Sequence, residues 1–268
     1  VNRLDALLKQ YRPQILIIGF GGNDVLNSKA LIEETEYRAN IEKMIDAARR
    51  DGVRVIVLNT VSPAVESYLK ERHQYPFDES LNVRIERYNR ILREIAAARG
   101  VLLNDFHKLV SENGGATEQP ESLVRNQANS RSRDGLHLTG PGARMLGESV
   151  AAILSGQVKS GDTVLCLGDS LTYGAGLPGA GTSTGSTYPA WLEAKLNNRP
   201  APLPPAAKTG VPARTLNGGF GDDTVGQVPS GWALSRGSGV VSVQQDGERK
   251  FISLAPAKDK TAFLRTDI

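Results

Sequence analysis

Three short runs of this sequence hold residue types that can perform nucleophilic chemistry. Val164-Leu165-Cys166-Leu167-Gly168-Asp169-Ser170-Leu171 reads as an apolar strand that ends in a tight turn presenting one serine hydroxyl. Asp134-Gly135-Leu136-His137 supplies a general base and, three residues before it, a carboxylate. Gly21-Gly22-Asn23-Asp24 follows another apolar run and offers a side-chain amide as a donor. A serine hydroxyl is too weakly acidic to attack an ester unaided, so it needs a base within hydrogen-bond reach and a third group that orients the base. Asp134 can turn its carboxylate onto one ring nitrogen of His137 and leave the other facing Ser170. The chain has 3 histidines, which limits the alternatives. His107 follows a strand in Asp105-Phe106-His107, and His73 lies in a charged segment expected to be exposed.

The elements around these runs alternate. Residues 2 to 11 read as a helix with Asn2 as its cap, Leu4, Leu7, Leu8 and Tyr11 on one face, and Pro13 as its stop. Ile15 to Ile18 is a continuous apolar run of strand length, as expected of a strand buried on both faces of a parallel sheet. Ile41, Met44, Ile45 and Ala48 mark a helix closed at Gly52, and Val53 to Leu58 is the next strand. Ile85, Tyr88, Ile91, Leu92 and Ile95 mark a long helix stopped at Gly100, followed by the strand Val101-Leu102-Leu103. A helix over Gly142 to Leu154, a strand over Thr163 to Leu167 and a helix over Tyr188 to Leu196 complete the pattern. Such alternation predicts a three-layer α/β fold with a flavodoxin-like parallel sheet. Reactive loops then lie at the carboxyl ends of the strands, where all three runs can meet.

Together the three runs resemble the SGNH (GDSL-type) serine hydrolases. The Leu-Thr-Gly-Pro-Gly continuation after His137, which launches a helix, also matches that family's last block. The resemblance implies Ser170 as nucleophile, His137 as base and Asp134 as its orienting acid. It also implies an oxyanion hole built from the Ser170 N–H, the Asn23 amide and a backbone N–H of a glycine in the family's second block. One such donor is worth about 10²–10³ in rate. Gly219, in Asn217-Gly218-Gly219-Phe220-Gly221-Asp222, is the candidate glycine, although this run fits the block only with a one-residue slip. In the family the serine block comes first, yet here Asn23 precedes Asp134 and His137, and Ser170 follows them. The order therefore implies a circularly permuted or otherwise rearranged member. Its late strand, Thr163 to Leu167, should lie parallel beside Ile15 to Ile18 and bury Cys166.

From Asn198 to Arg214 the composition turns to Pro, Ala and Asn, and beyond it short strand candidates appear at Val240 to Val243, Phe251 to Leu254 and Thr261 to Leu264. Leu216 to Phe220 with Pro229-Ser230-Gly231-Trp232 resembles the opening of a carbohydrate-binding jelly-roll module. The same residues thus serve equally as the second hydrolase block or as the start of this module. The expected domains are a permuted hydrolase over 1–197, a linker or insertion over 198–214 and an all-β, jelly-roll-like segment over 215–268.

Composition narrows the classes. Apolar residues make up 40% of the chain but fall in short runs, well below the roughly 20 residues that cross a bilayer. With 32 basic and 29 acidic residues intermixed, no basic face for nucleic acid stands out. The single Cys166 offers neither an internal disulfide nor metal-ligand spacing, and no metal or cofactor is expected. Val1 is not a methionine and no basic segment leads into an apolar one, so the compartment stays open, with secretion or a periplasmic location the favoured alternative. Gly174, Gly176 and Gly179 lack the Lys-Ser/Thr ending of a phosphate loop and read as a mobile loop. Arg131 and Arg133, flanking Asp134, read as solvated loop residues able to attract an anionic substrate. The expected activity is that of a serine esterase on small-molecule or carbohydrate esters, with a carbohydrate acetylester favoured. A lysophospholipase or thioesterase, or a non-catalytic carbohydrate-binding protein with a degenerate hydrolase domain, are the alternatives.

Overall fold

A computed structural model describes residues 3–181 and 185–200 with their side chains, and the backbone of four strands at 232–234, 240–246, 249–255 and 264–266. The chain divides into two units, Val1–Pro205 and Ala206–Ile268.

In the first unit, helix α1 (Leu4–Tyr11) leads to β1 (Ile15–Gly19), α2 (Gly22–Leu26), α3 (Glu34–Arg50) and β2 (Val55–Asn59). Helices α4 (Glu66–Arg72) and α5 (Leu81–Arg99) precede β3 (Leu102–Asn104), which is followed by α6 (Phe106–Glu112), α7 (Gln127–Ser130) and α8 (Gly140–Ile153). Strand β4 (Val164–Gly168), the single turn α9 (Ser170–Tyr173) and α10 (Tyr188–Leu196) close the unit. The four strands form a parallel sheet in the order β3-β2-β1-β4. The late strand β4 is thus inserted beside β1, as the sequence predicts, with Ile15 opposite Val164 and Ile17 opposite Cys166.

Strand periodicity builds the layers. Leu16 and Ile18 of β1, with Ile56 and Leu58 of β2, face one side and pack with Leu4 and Leu8 of α1, Ile41 and Ile45 of α3, and Ile85 and Tyr88 of α5. Ile15, Ile17, Val55 and Val57 face the other side, against Phe106 of α6, Leu146 and Val150 of α8, and Tyr188 and Leu192 of α10. Because successive side chains of a strand point to opposite faces, four consecutive apolar residues serve two separate cores.

Three local expectations need correction. Helix α1 starts at Leu4 after Arg3, with no side-chain cap, and the expected cap Asn2 lies outside the described residues. Tyr11 is exposed, because α1 ends in a left-handed turn at Arg12 and its last turn leaves the core. Cys166 is only half-buried, since among the described residues β4 is an edge strand with a neighbour on one side alone.

In the second unit β6 (Val240–Asp246) and β7 (Arg249–Ala255) pair antiparallel, following β5 (Trp232–Leu234) and preceding its antiparallel partner β8 (Leu264–Thr266). Two of the expected strands fall within β6 and β7. The third was expected at 261–264, and β8 begins at Leu264. Most of the expected linker over 198–214 lies outside the described residues.

Candidate active site

Strand β4 carries the chain to Asp169, whose carboxylate accepts the Leu171 N–H at 2.9 Å and caps α9. This places Ser170 at the first position of that turn, where its own N–H has no partner among the described residues. The loop before α8 is shaped by Asp134, whose Oδ1 accepts the N–H groups of Leu136 at 3.0 Å and His137 at 2.8 Å. Such an Asx turn holds a carboxylate against the residue three positions on. Two contacts tie the loop to the α4 region. The Val65 N–H donates to the Gly135 carbonyl at 2.8 Å, and the Arg72 guanidinium donates to the Asp134 carbonyl at 2.9 Å. Behind it, Thr139 caps α8 by accepting the Gly142 N–H.

The result is a linear arrangement of three side chains. His137 Nε2 lies 3.0 Å from Ser170 Oγ, and His137 Nδ1 lies 2.9 and 3.0 Å from the two Asp134 oxygens. The side chains of Asp134 and His137 are 15% and 23% exposed, so the carboxylate is shielded while the ring still reaches the surface. Burial pushes the Asp134 carboxyl up, but the His137 ring and the N–H groups of His137 and Leu136 outweigh it and hold it down at about 2. Asp134 is therefore an ionised acceptor, which keeps the proton of a neutral ring on Nδ1 and leaves Nε2 as the basic nitrogen toward Ser170. The arrangement can draw a proton from the serine hydroxyl and return it to a leaving group.

Asn23 sits on α2, half-buried. Its Oδ1 accepts from Asn27 Nδ2 at 3.4 Å, while its own Nδ2 donates to nothing among the described residues. Gly21 sets the entry into α2: its φ is 128°, and a Cβ there would lie 2.6 Å from Val61 Cγ2 and 2.8 Å from the Tyr37 hydroxyl oxygen. Gly22 places α2 against the turn that carries Ser170, since a Cβ on it would lie 3.5 Å from Asp169 Oδ2. Asp169 accepts a loop N–H, that of Leu171. Burial raises the Asp169 and Asp24 carboxyls, and loop N–H groups oppose the rise in each. Gly219 lies outside the described residues.

The remaining candidates stand elsewhere or are already engaged. His107, on α6, lies 3.6 Å from Glu86. His73 is half-buried rather than exposed, because Ser28 bonds its Nδ1 at 3.1 Å and Tyr75 packs on its ring. This second Ser–His pair has Arg72 and Lys29 as its charged neighbours, which with burial lower the ring's proton affinity. Arg133 is held by Glu71 at 2.6 Å over the Tyr68 ring. Burial pushes the Cys166 thiol up to about 11, leaving it a poor nucleophile. Among the described residues no group of three His, Cys, Asp or Glu is placed to hold a metal, and no helix is long and apolar enough to cross a membrane.

The sequence matches the GDSL-like lipase/acylhydrolase family over residues 1–145, more than half of the chain. The chain belongs to that family. As a GDSL-like acylhydrolase it is a hydrolase acting on esters, and the matched stretch contains Asn23, Asp134 and His137 while Ser170 lies beyond it. No curated protein matches the sequence. Among solved structures, a lipase/acylhydrolase from Enterococcus faecalis is 21% identical with a TM-score of 0.45, covering 60% of this chain and 71% of its own. A GDSL-like lipase from Bacteroides thetaiotaomicron is 18% identical with a TM-score of 0.43, covering 59% and 69%. A variant of an acetyl-xylooligosaccharide esterase from Geobacillus Stearmophilus is 16% identical with a TM-score of 0.42, covering 57% and 64%.

Proposed function

We propose that this acylhydrolase is a serine esterase that cleaves small acyl esters through an acyl-enzyme, with Ser170 as nucleophile, His137 as general base and acid, and Asp134 as the acid that orients it. The observation supporting this reading is the 3.0 Å separation of Ser170 Oγ and His137 Nε2, with Asp134 bonded to the far side of the ring. As Oγ attacks the ester carbonyl, Nε2 takes its proton, and Asp134 stabilises the imidazolium that forms. The carbonyl oxygen becomes an oxyanion and is received by the Ser170 N–H and the Asn23 amide. Collapse breaks the bond to the alcohol, which leaves with the proton from His137. Water then repeats the sequence on the acyl-serine and frees the acid. No metal or cofactor enters these steps.

The family's block order supports reading the first unit as a circularly permuted hydrolase domain over 1–197, with β4 completing a sheet that begins with β1. Residues 198–214 are then a linker and 215–268 a jelly-roll-like module. The pattern of that module supports a carbohydrate acetylester as the substrate class.

The deciding experiment is hydrolysis of 4-nitrophenyl acetate by the full chain and by Ser170→Ala. Turnover with a burst of nitrophenol, lost by at least about a thousandfold in the variant, is the expected result. Equal rates in the two proteins would overturn the assignment.

A further inference from the structure

A cleft of about 560 Å³ is lined by Ser122, Arg125, Thr139, Gly176 and Leu177, with Glu121 exposed among its lining, and Arg125 and Gly176 connect it to the backbone of the His137 and Ser170 segments. Its volume lies within the range of small-molecule sites. Arg125 is placed there by backbone pairing. Val124 bridges Leu138 in antiparallel fashion, and the Arg125 N–H donates to the His137 carbonyl at 2.8 Å. Val124 and Leu138 are both buried in the core. Residues facing each other across such a pair share a side, so Arg125 and His137 stand together on the opposite side, that of the candidate site.

The Arg125 guanidinium is held but unpaired. It lies against Gly176, whose φ of 80° and missing side chain make room for it, since any Cβ there would overlap the guanidinium. The Gly176 loop is itself anchored to the nucleophile, because the N–H groups of Gly174 and Ala175 donate to the Ser170 carbonyl at 3.0 and 2.9 Å. Arg93 and Arg133 meet Asp105 and Glu71 at 2.8 and 2.6 Å. Arg125, by contrast, has no ion pair among the described residues, and its Nε is sealed from solvent with no hydrogen-bond partner. Glu121 lines the same cleft without pairing to it. Burying part of a guanidinium without an anion costs free energy that an incoming anion restores, and the planar fork of arginine suits a carboxylate or phosphate oxygen pair.

We propose that this cleft is an anion-binding subsite in which Arg125 receives a carboxylate or similar oxyanion carried by the ester substrate. The inference rests on the esterase reading and narrows its substrate class to esters with an anionic group near the scissile bond. The charge can lie on either side of that bond, and the two sources are separable.

The test compares KM for matched pairs. 4-Acetoxybenzoate against phenyl acetate places the charge on the alcohol side, and mono-4-nitrophenyl glutarate against 4-nitrophenyl valerate places it on the acyl side. At least one charged substrate should have a KM lower than its neutral partner by about ten- to a hundredfold, the span of one charge-assisted hydrogen bond. Arg125→Gln and Gly176→Ala should erase that ratio, and Arg125→Lys should keep part of it. No charge preference in the parent protein, or equal losses on charged and neutral partners in the variants, overturns the inference while leaving the esterase reading intact. If no ester is turned over, the esterase reading fails and calorimetric titration of the full chain with monomethyl glutarate and 4-acetoxybenzoate decides the subsite by itself. Binding lost in Arg125→Gln supports it, and absent binding overturns it. Melting curves establish that each variant is folded, with Arg125→Lys and Gly176→Ala standing in for a glutamine variant that is not.

Discussion

Gly19 and Gly168 stand directly opposite each other at the carboxyl ends of β1 and β4. From that one point the chain leaves β1 toward Asn23 and leaves β4 toward Ser170, so residues far apart in sequence start at one edge of the sheet. Parallel strands deliver their following loops to the same edge. A slip of one residue in this pairing would turn every side chain of β4 to the other face. The Gly19–Gly168 register is therefore as much a part of the site as the residues that touch there.

Asn23→Ala should lower kcat on 4-nitrophenyl acetate by about 10²–10³ with little change in KM, because a donor to the oxyanion acts in the transition state alone. Steady-state kinetics check this. An unchanged kcat would overturn the oxyanion role proposed for Asn23.

On the proposed roles, Asp134→Asn should cost roughly 10⁴ in kcat, as loss of the acid does in Ser-His-Asp triads. The same carboxyl predicts a pH dependence of stability. Its folded pKa of about 2 lies below the ordinary value near 3.9, so its ionised form stabilises the fold above that value. The contribution is lost as pH falls from about 4 through about 2. Melting temperature should drop more steeply across this window in the parent protein than in Asp134→Asn, and parallel slopes would contradict the account.

Gly21→Ala should destabilise the protein by about 1–3 kcal/mol and reduce activity through α2, because its φ of 128° and the crowding by Val61 and Tyr37 both oppose a side chain. Gly52→Ala is the comparison: its φ is 83°, yet nothing lies within 4 Å of the added carbon. Urea denaturation should show the larger loss at Gly21, and the reverse order would show that crowding at α2 is relieved elsewhere.

Ile17→Ala removes a fully buried side chain from the interior strand β1 and should cost about 2–5 kcal/mol. Leu165→Ala, on the half-buried edge strand β4, should cost less. Equal losses would mean that β4 is as enclosed as β1.

Much of this was legible in the linear sequence. Ile15 to Ile18 and Val164 to Leu167 read as strands because unbroken apolar runs of that length suit a sheet covered on both faces. The long helix α5 showed in the spacing of Ile85, Tyr88, Ile91, Leu92 and Ile95, and in the Gly100 stop, which takes the left-handed conformation. Asp134 and His137 are three residues apart, so a local turn suffices to join them. The short helices α2, α4, α6, α7 and α9 have too few turns to leave a periodic signal.

The sequence by itself thus determined the element types, the turn that joins Asp134 to His137 and the strand that ends at Ser170, because each depends on residues a few positions apart. Tertiary structure alone decided the places of β2 and β3 in the order β3-β2-β1-β4, the 3.0 Å separation of Ser170 and His137, the Ser28–His73 pair and the place of Arg125 across from His137. Those relationships rest on strand register and on which buried faces pack together. Both are set by the summed burial of two cores on opposite sides of the sheet, which no short window of sequence contains.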